Sequence, residues 1–115
     1  MITPSEPFDV AAMRKSAAKA TVFLRTMANE DRLLLLCQLT EGERCVSDLE
    51  ELTGIVQPTL SQQLSVLRSE GLVSTRREGK FVYYALLDSR VSGMLTALHG
   101  MFCRTTAARK RSVTT

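Results

Sequence analysis

Along three stretches of the chain apolar residues recur at steps of three and four, the period of one face of an α-helix. From Val10 to Met27 these positions are Ala12, Met13, Ala17, Ala20, Phe23, Leu24 and Met27. In a later stretch Leu60, Leu64 and Leu67 share a face, on a helix that opens at Pro58, where the missing N–H costs nothing in a first turn. Val91, Met94, Leu95, Leu98, Met101 and Phe102 mark a last helix starting at Asp88 or Ser89. Between the first two stretches, the run Leu33 to Cys37 is apolar all round and predicts a helix at the buried centre, capped by Asn29 and ended by Gly42. Cys37 within that run reads as a small buried hydrophobe. Cys45-Val-Ser-Asp-Leu-Glu-Glu-Leu predicts a short helix in which Ser47 caps and Glu50 completes a capping box, with Thr53-Gly54 as the stop.

The β-prone runs Leu72-Val-Ser-Thr-Arg-Arg and Phe81-Val-Tyr-Tyr-Ala-Leu-Leu join across Glu78-Gly79-Lys80 and predict a hairpin. Two short helices joined by a tight glycine turn form the unit that sets its second helix in a DNA major groove. The expected fold is therefore mainly α (α+β): a winged helix-turn-helix of about five helices, with a β-hairpin wing between the fourth and fifth. One domain spans 10–103, after a mobile lead-in at 1–9 and before a basic, disordered tail at 104–115.

The 115 residues carry a net charge of only +3, but the charges are unevenly placed. Glu30, Asp31, Glu41, Glu43, Asp48, Glu50 and Glu51 outweigh Arg32 and Arg44, whereas beyond Leu52 the cations Arg68, Arg76, Arg77 and Lys80 outweigh Glu70 and Glu78. A phosphate-facing surface belongs on that second half. The residues opposite Leu60, Leu64 and Leu67 are small and polar, suited to a groove about 12 Å wide. Gln62 and Ser65 are candidates for base edges, Gln, in particular, for a bidentate pair to adenine. Gln57, Thr59 and Ser61 lie where the helix start points at the duplex, Arg68 suits phosphate, and Arg76, Arg77 and Lys80 place wing cations over the backbone or minor groove.

The opening residues lack a secretory pattern and no apolar run reaches the roughly 18 residues a membrane span needs, so a soluble, cytoplasmic protein without a membrane partner is expected. Cys37, Cys45 and Cys103 are too few and too widely spaced for a disulfide framework. One histidine, no phosphate-cradling glycine loop and no recognisable carboxylate pair argue against an enzyme, and no cofactor is expected.

The chain resembles the ArsR (SmtB/ArsR) family of bacterial winged-helix repressors over residues 12–103. The resemblance is carried by Ala28-Asn-Glu-Asp-Arg-Leu-Leu-Leu-Leu, Cys45-Val-Ser-Asp-Leu, Gln57-Pro-Thr-Leu-Ser-Gln-Gln-Leu-Ser-Val-Leu and Gly71-Leu-Val-Ser-Thr-Arg-Arg-Glu-Gly-Lys-Phe-Val-Tyr-Tyr. It implies a homodimer built on the first and last helices that binds an inverted-repeat, double-stranded DNA operator and leaves it when an inducer binds. Many metal-sensing members carry Cys-Val-Cys on the third helix, but here Cys45 is followed by Val46 and Ser47, and the last helix offers His99 without companion ligands, so no metal site is expected. The pair Cys45 and Cys103 is similar to the sulfide- and persulfide-responsive branch typified by the biofilm growth-associated repressor. That likeness implies a redox sensor: an oxidant or reactive sulfur species bridges Cys45 to Cys103, with Arg44 and Arg104 beside them, and derepresses sulfide-detoxification genes. The alternative is a metal(loid)-responsive repressor holding a soft ion with Cys45, Cys103 and Cys37; a third is a module that binds protein in place of DNA.

Overall fold

A computed structural model describes residues 9–103. The basic tail at 104–115, with Arg104, and all of the lead-in but Asp9 lie outside the described residues. The element order is α1 (Val10–Met27), α2 (Glu30–Leu39), β1 (Arg44–Cys45), α3 (Val46–Thr53), α4 (Thr59–Ser69), β2 (Val73–Glu78), β3 (Phe81–Leu86) and α5 (Ser89–Phe102). This is a winged helix-turn-helix with a three-stranded antiparallel sheet.

Helix starts follow local chemistry. Asp9 caps α1 by accepting from the Ala11 and Ala12 N–H groups, Asn29 caps α2 by accepting from Arg32, and Asp88 caps α5 by accepting from Arg90. For α3 the expectation of a Ser47 capping box is corrected. The helix begins one residue after Cys45, no side chain caps it, and the Ser47 hydroxyl lies 3.2 Å from the Cys45 sulfur. Cys45 takes the cap position because Arg44 and Cys45 are drawn into a strand, where they oppose Tyr84 and Tyr83 of β3. A two-residue strand has no periodicity to read, and the expected hairpin becomes a sheet of order β1-β3-β2. The wing is the expected hairpin, paired from Val73 opposite Leu86 to Glu78 opposite Phe81, so Glu78 belongs to the strand rather than to the connection, and the chain turns at Gly79, whose φ of 61° suits a residue without Cβ.

The core is built from Leu35, Leu36 and Leu39 of α2, Leu49 of α3, Leu60, Leu64 and Leu67 of α4, Leu72 and Val73 leading into the wing, and Val91 and Leu95 of α5. Helix α2 is central, packing on α3, α4 and β3. It is not buried all round: Leu34 and Cys37 are exposed, which corrects the reading of Cys37 as a buried hydrophobe. Only Thr26 and Met27 of α1 are buried, and Val10, Met13, Val22 and Leu24 stand open. At the end of α5, Met101 and Phe102 are 62% and 77% exposed. Among the described residues no helix is long and apolar enough to cross a membrane.

Candidate nucleic-acid interface

Helix α3 ends at Gly54, whose left-handed φ of 75° turns the chain and whose N–H bonds to the Glu50 carbonyl. Three residues of turn lead to Pro58, which stands at the cap of α4 rather than inside it. Leu60, Leu64 and Leu67 are fully buried, so their spacing fixes the rotation of α4. The opposite face, with Ser61, Gln62, Ser65, Arg68 and Ser69, is exposed, and Thr59 is half-buried. Gln57 is engaged locally. Its side-chain oxygen accepts from the Ser61 N–H at 3.1 Å and from the Ser61 hydroxyl at 2.7 Å, supplying the cap that Pro58 cannot. Gln57 and Ser61 thus brace each other, while the side chains of Gln62 and Ser65 make no protein hydrogen bond among the described residues and are open to a ligand.

Arg32 connects this helix to the rest of the domain. Its Nε donates to the Thr26 carbonyl at 2.6 Å, one terminal nitrogen donates to Gln63 Oε1 at 2.8 Å, and the other to the Arg25 carbonyl at 3.3 Å. A single guanidinium therefore ties the end of α1 to the inward edge of α4. The pattern of apolar positions carries no signal for this contact, because Arg32 stands in an acid-rich segment and its partner is 31 residues away. Arg90 plays a similar part on the other side: it pairs with Asp88 and lies 5.0 Å over the Phe23 ring, joining α5 to α1.

On the wing the three candidate cations differ. Arg77 and Lys80 are exposed, and the Lys80 ammonium lies 5.7 Å over the Phe81 ring. Arg76 is occupied. It donates to both oxygens of Glu43, at 2.7 and 2.8 Å, and to Glu78 at 3.1 Å, and its guanidinium lies 4.5 Å over the Tyr83 ring. The hydrogen bonds and charge of Arg76 hold the Glu43 carboxyl below its ordinary pKa, and the two carboxylates raise that of Arg76.

The cysteines fall in two places. Cys45 is buried, 7% exposed, between the sheet and α3. Cys37 and Cys103 are both exposed and line a common trough between α2 and α5. Its two lobes, about 830 and 340 Å³, share Cys37, Leu95, His99 and Cys103. One lobe is polar, with Gln38, Thr40, Glu41, Ser92 and Thr96; the other is walled by Leu33, Leu34, Leu98 and Phe102. Burial and, second, the nearby Cys103 push the Cys37 thiol up. Cys45 does not line this trough. Among the described residues no group of three His, Cys, Asp or Glu side chains is placed to hold a metal ion.

Residues 29–75, from the cap of α2 into the first strand of the wing, match the model of the bacterial regulatory protein, arsR family. The biofilm growth-associated repressor of Agrobacterium fabrum is 44% identical over 107 residues, covering 88% of this chain and 92% of that protein. The chain belongs to the arsR family. Its members are regulators of transcription, and this one is a DNA-binding regulator and not an enzyme. The transcriptional activator HlyU of Vibrio cholerae is 42% identical over 98 residues, covering 85% of this chain and 91% of that protein. The crystal structure of the transcriptional repressor BigR from Xylella fastidiosa superposes with a TM-score of 0.78 at 42% identity, covering 85% of this chain and all of that one. For this arsR-family regulator the resemblance read from the sequence and the observed architecture therefore agree.

Proposed function

We propose that the protein is a homodimeric repressor that inserts α4 of each subunit into successive major grooves of an inverted-repeat operator. The observation that carries this reading is the two-faced α4, with three leucines wholly buried and Gln62 and Ser65 presented free on the outside. Gln62 and Ser65 read base edges, Thr59 and Ser61 lie at the helix start against phosphate or bases with Gln57 bracing them, and Arg68, Arg77 and Lys80 neutralise phosphates. The open apolar faces of α1 and α5 support the dimer, since a chain this small gains by covering them. Binding to the protein's own upstream DNA, compared with scrambled DNA of equal length, tests this reading. A preference for the upstream DNA that Gln62→Ala removes supports it, and equal binding to both DNAs overturns it.

The proposal includes control by thiol chemistry at Cys103. The Cys103 thiolate attacks a sulfane sulfur of an inorganic polysulfide, expels a shorter polysulfide anion and becomes a persulfide. A second thiolate then attacks the Cys103 sulfur and expels hydrosulfide, leaving a disulfide; two thiols are oxidised and the polysulfide is reduced. The resemblance pointed to Cys45 as the second thiol. The shared trough favours Cys37 for that part, because Cys45 is buried in β1's pairing with β3, lies close to Ser47 and does not line the trough. A bridge from α2 to α5 joins the helix that packs on α4 to the helix that carries the open apolar end, and so alters the spacing of the two reading helices.

Polysulfide treatment of Cys37→Ser, Cys45→Ser and Cys103→Ser variants, read by DNA release and by mass spectrometry of the linked peptides, tests it. Loss of release in Cys37→Ser and Cys103→Ser but not in Cys45→Ser supports the Cys37 pairing. Loss in Cys45→Ser and Cys103→Ser alone restores the Cys45 pairing, and release from all three overturns the thiol switch.

A further inference from the structure

We propose that Arg76 acts on DNA as a positioning residue: clamped to Glu43, it sets the angle of the wing and thereby where Arg77 and Lys80 reach, and it neutralises no phosphate itself. The inference rests on the reading of the wing as a phosphate contact. All three guanidinium nitrogens of Arg76 are committed, two to the forked carboxylate of Glu43 and one to Glu78, with the Tyr83 ring beneath. A phosphate arriving at Arg76 meets two carboxylates that already overbalance its charge. Arg77 and Lys80 have no such acid bound to them among the described residues.

The geometry explains what the clamp is for. A two-stranded hairpin is marginal by itself, and the third strand here, β1, pairs with β3 only at Arg44 and Cys45. Arg76 stands opposite Tyr83, and Tyr83 stands opposite Cys45, so the three residues form a row across the sheet. Glu43, just ahead of β1, reaches over that row to the outer strand and joins positions 33 apart in sequence. The fork acts as a tether across the full width of the sheet, from the loop after α2 to the strand that leads to the wing tip. Arginine suits this task because its planar fork matches both carboxylate oxygens at once, which lysine cannot do.

The two roles of Arg76 predict opposite signs for a change at Glu43. If Arg76 held a phosphate, removing Glu43 would free a cation and delete an acid near DNA, and binding would tighten. If Arg76 positions the wing, removing Glu43 releases the wing and binding weakens.

The test measures operator affinity over a range of salt for Glu43→Ala, Arg76→Ala, Arg76→Lys, the Glu43→Ala/Arg76→Ala double variant, and Arg77→Ala and Lys80→Ala as wing references, with thermal melting to show that each folds. The expected result is a loss of roughly three- to tenfold in each of the first three, the size of one forked hydrogen-bonded contact. The double variant is expected to be no worse than either single one, and the salt slope to stay at the parental value. Glu43→Ala binding as tightly as the parent or tighter overturns the proposal, as does a salt slope flattened by about one in Arg76→Ala or full affinity in Arg76→Lys. Unchanged affinity and slope in both Arg77→Ala and Lys80→Ala instead removes the wing from DNA and with it the reading on which the proposal rests.

Discussion

The reading head and the flanking helices use their apolar residues differently. In the head, Leu49, Leu60, Leu64 and Leu67 are wholly buried, and the outer face of α4 carries mainly small polar residues around Val66, with Leu52 of α3 and Val56 of the turn also exposed. In α1 and the end of α5, Val10, Met13, Val22, Leu24, Met101 and Phe102 stand open. The leucines that fix the head are covered within the one chain, whereas most of the apolar surface of the flank is not. Stability of the single chain therefore resides in the head and α2, and the flank is the surface that the proposed homodimer would cover.

The largest effect that sharpens this contrast is expected in the head's core. Leu64→Ala should cost about 2–5 kcal/mol, from lost transfer energy and the cavity left behind, and should lower the denaturant midpoint of the protein at every concentration. A loss under 1 kcal/mol would place the core elsewhere. In the flank, Phe102→Asp should leave far-UV circular dichroism unchanged yet shift the sedimentation profile to monomer and abolish cooperative operator binding. A variant that remains dimeric would remove the end of α5 from the interface.

Smaller effects separate the roles of surface groups. Lys80→Ala should weaken operator and nonspecific DNA alike and flatten the salt dependence by about one, the share of a single phosphate contact. In the trough, burial and Cys103 both raise the Cys37 pKa, so Cys37 remains protonated at pH values where a free thiol ionises. Folding therefore loses stability as pH rises above the ordinary thiol pKa toward the raised one. Alkylation of Cys37 by iodoacetamide should show a midpoint above that of free cysteine, and Cys103→Ser should bring it partly down. An unmoved midpoint in that variant would separate the two thiols. On the wing, hydrogen bonds from Arg76 lower the Glu43 pKa, so the clamp persists below the ordinary glutamate range and is lost only as pH falls through the lowered value. Carbon-detected NMR titration of Glu43 should give a low midpoint in the parent and an ordinary one in Arg76→Ala.

Much of this was legible in the sequence because it is periodic. The leucines of α4 are spaced by helical turns, and their burial dictates which polar residues face outward. The helix order and the wing hairpin follow from similarly local patterns of apolar residues, caps and turn glycines. What escaped is long-range or too short to be periodic. Strand β1 has two residues, and its pairing with Tyr83 and Tyr84 moved the start of α3 off Ser47. The Arg32 contact with Gln63 and the Arg76 fork on Glu43 join residues 31 and 33 positions apart, and no local pattern ties either pair together. Cys37 was misplaced because a continuous apolar run does not say which side of the helix lacks a neighbour. The opening between α2 and α5 leaves that side uncovered and puts Cys37 beside Cys103.

The measurement that bears most directly on the whole account is the ratio of operator to scrambled-DNA affinity at fixed salt for the parent and Gln62→Ala. The free outer face of α4 predicts that the ratio falls at least about fivefold, since a good bidentate base contact is worth about 1–3 kcal/mol, while scrambled-DNA affinity stays within twofold. An unchanged ratio, with the parent itself selective, would contradict the claim that this face of α4 reads the bases.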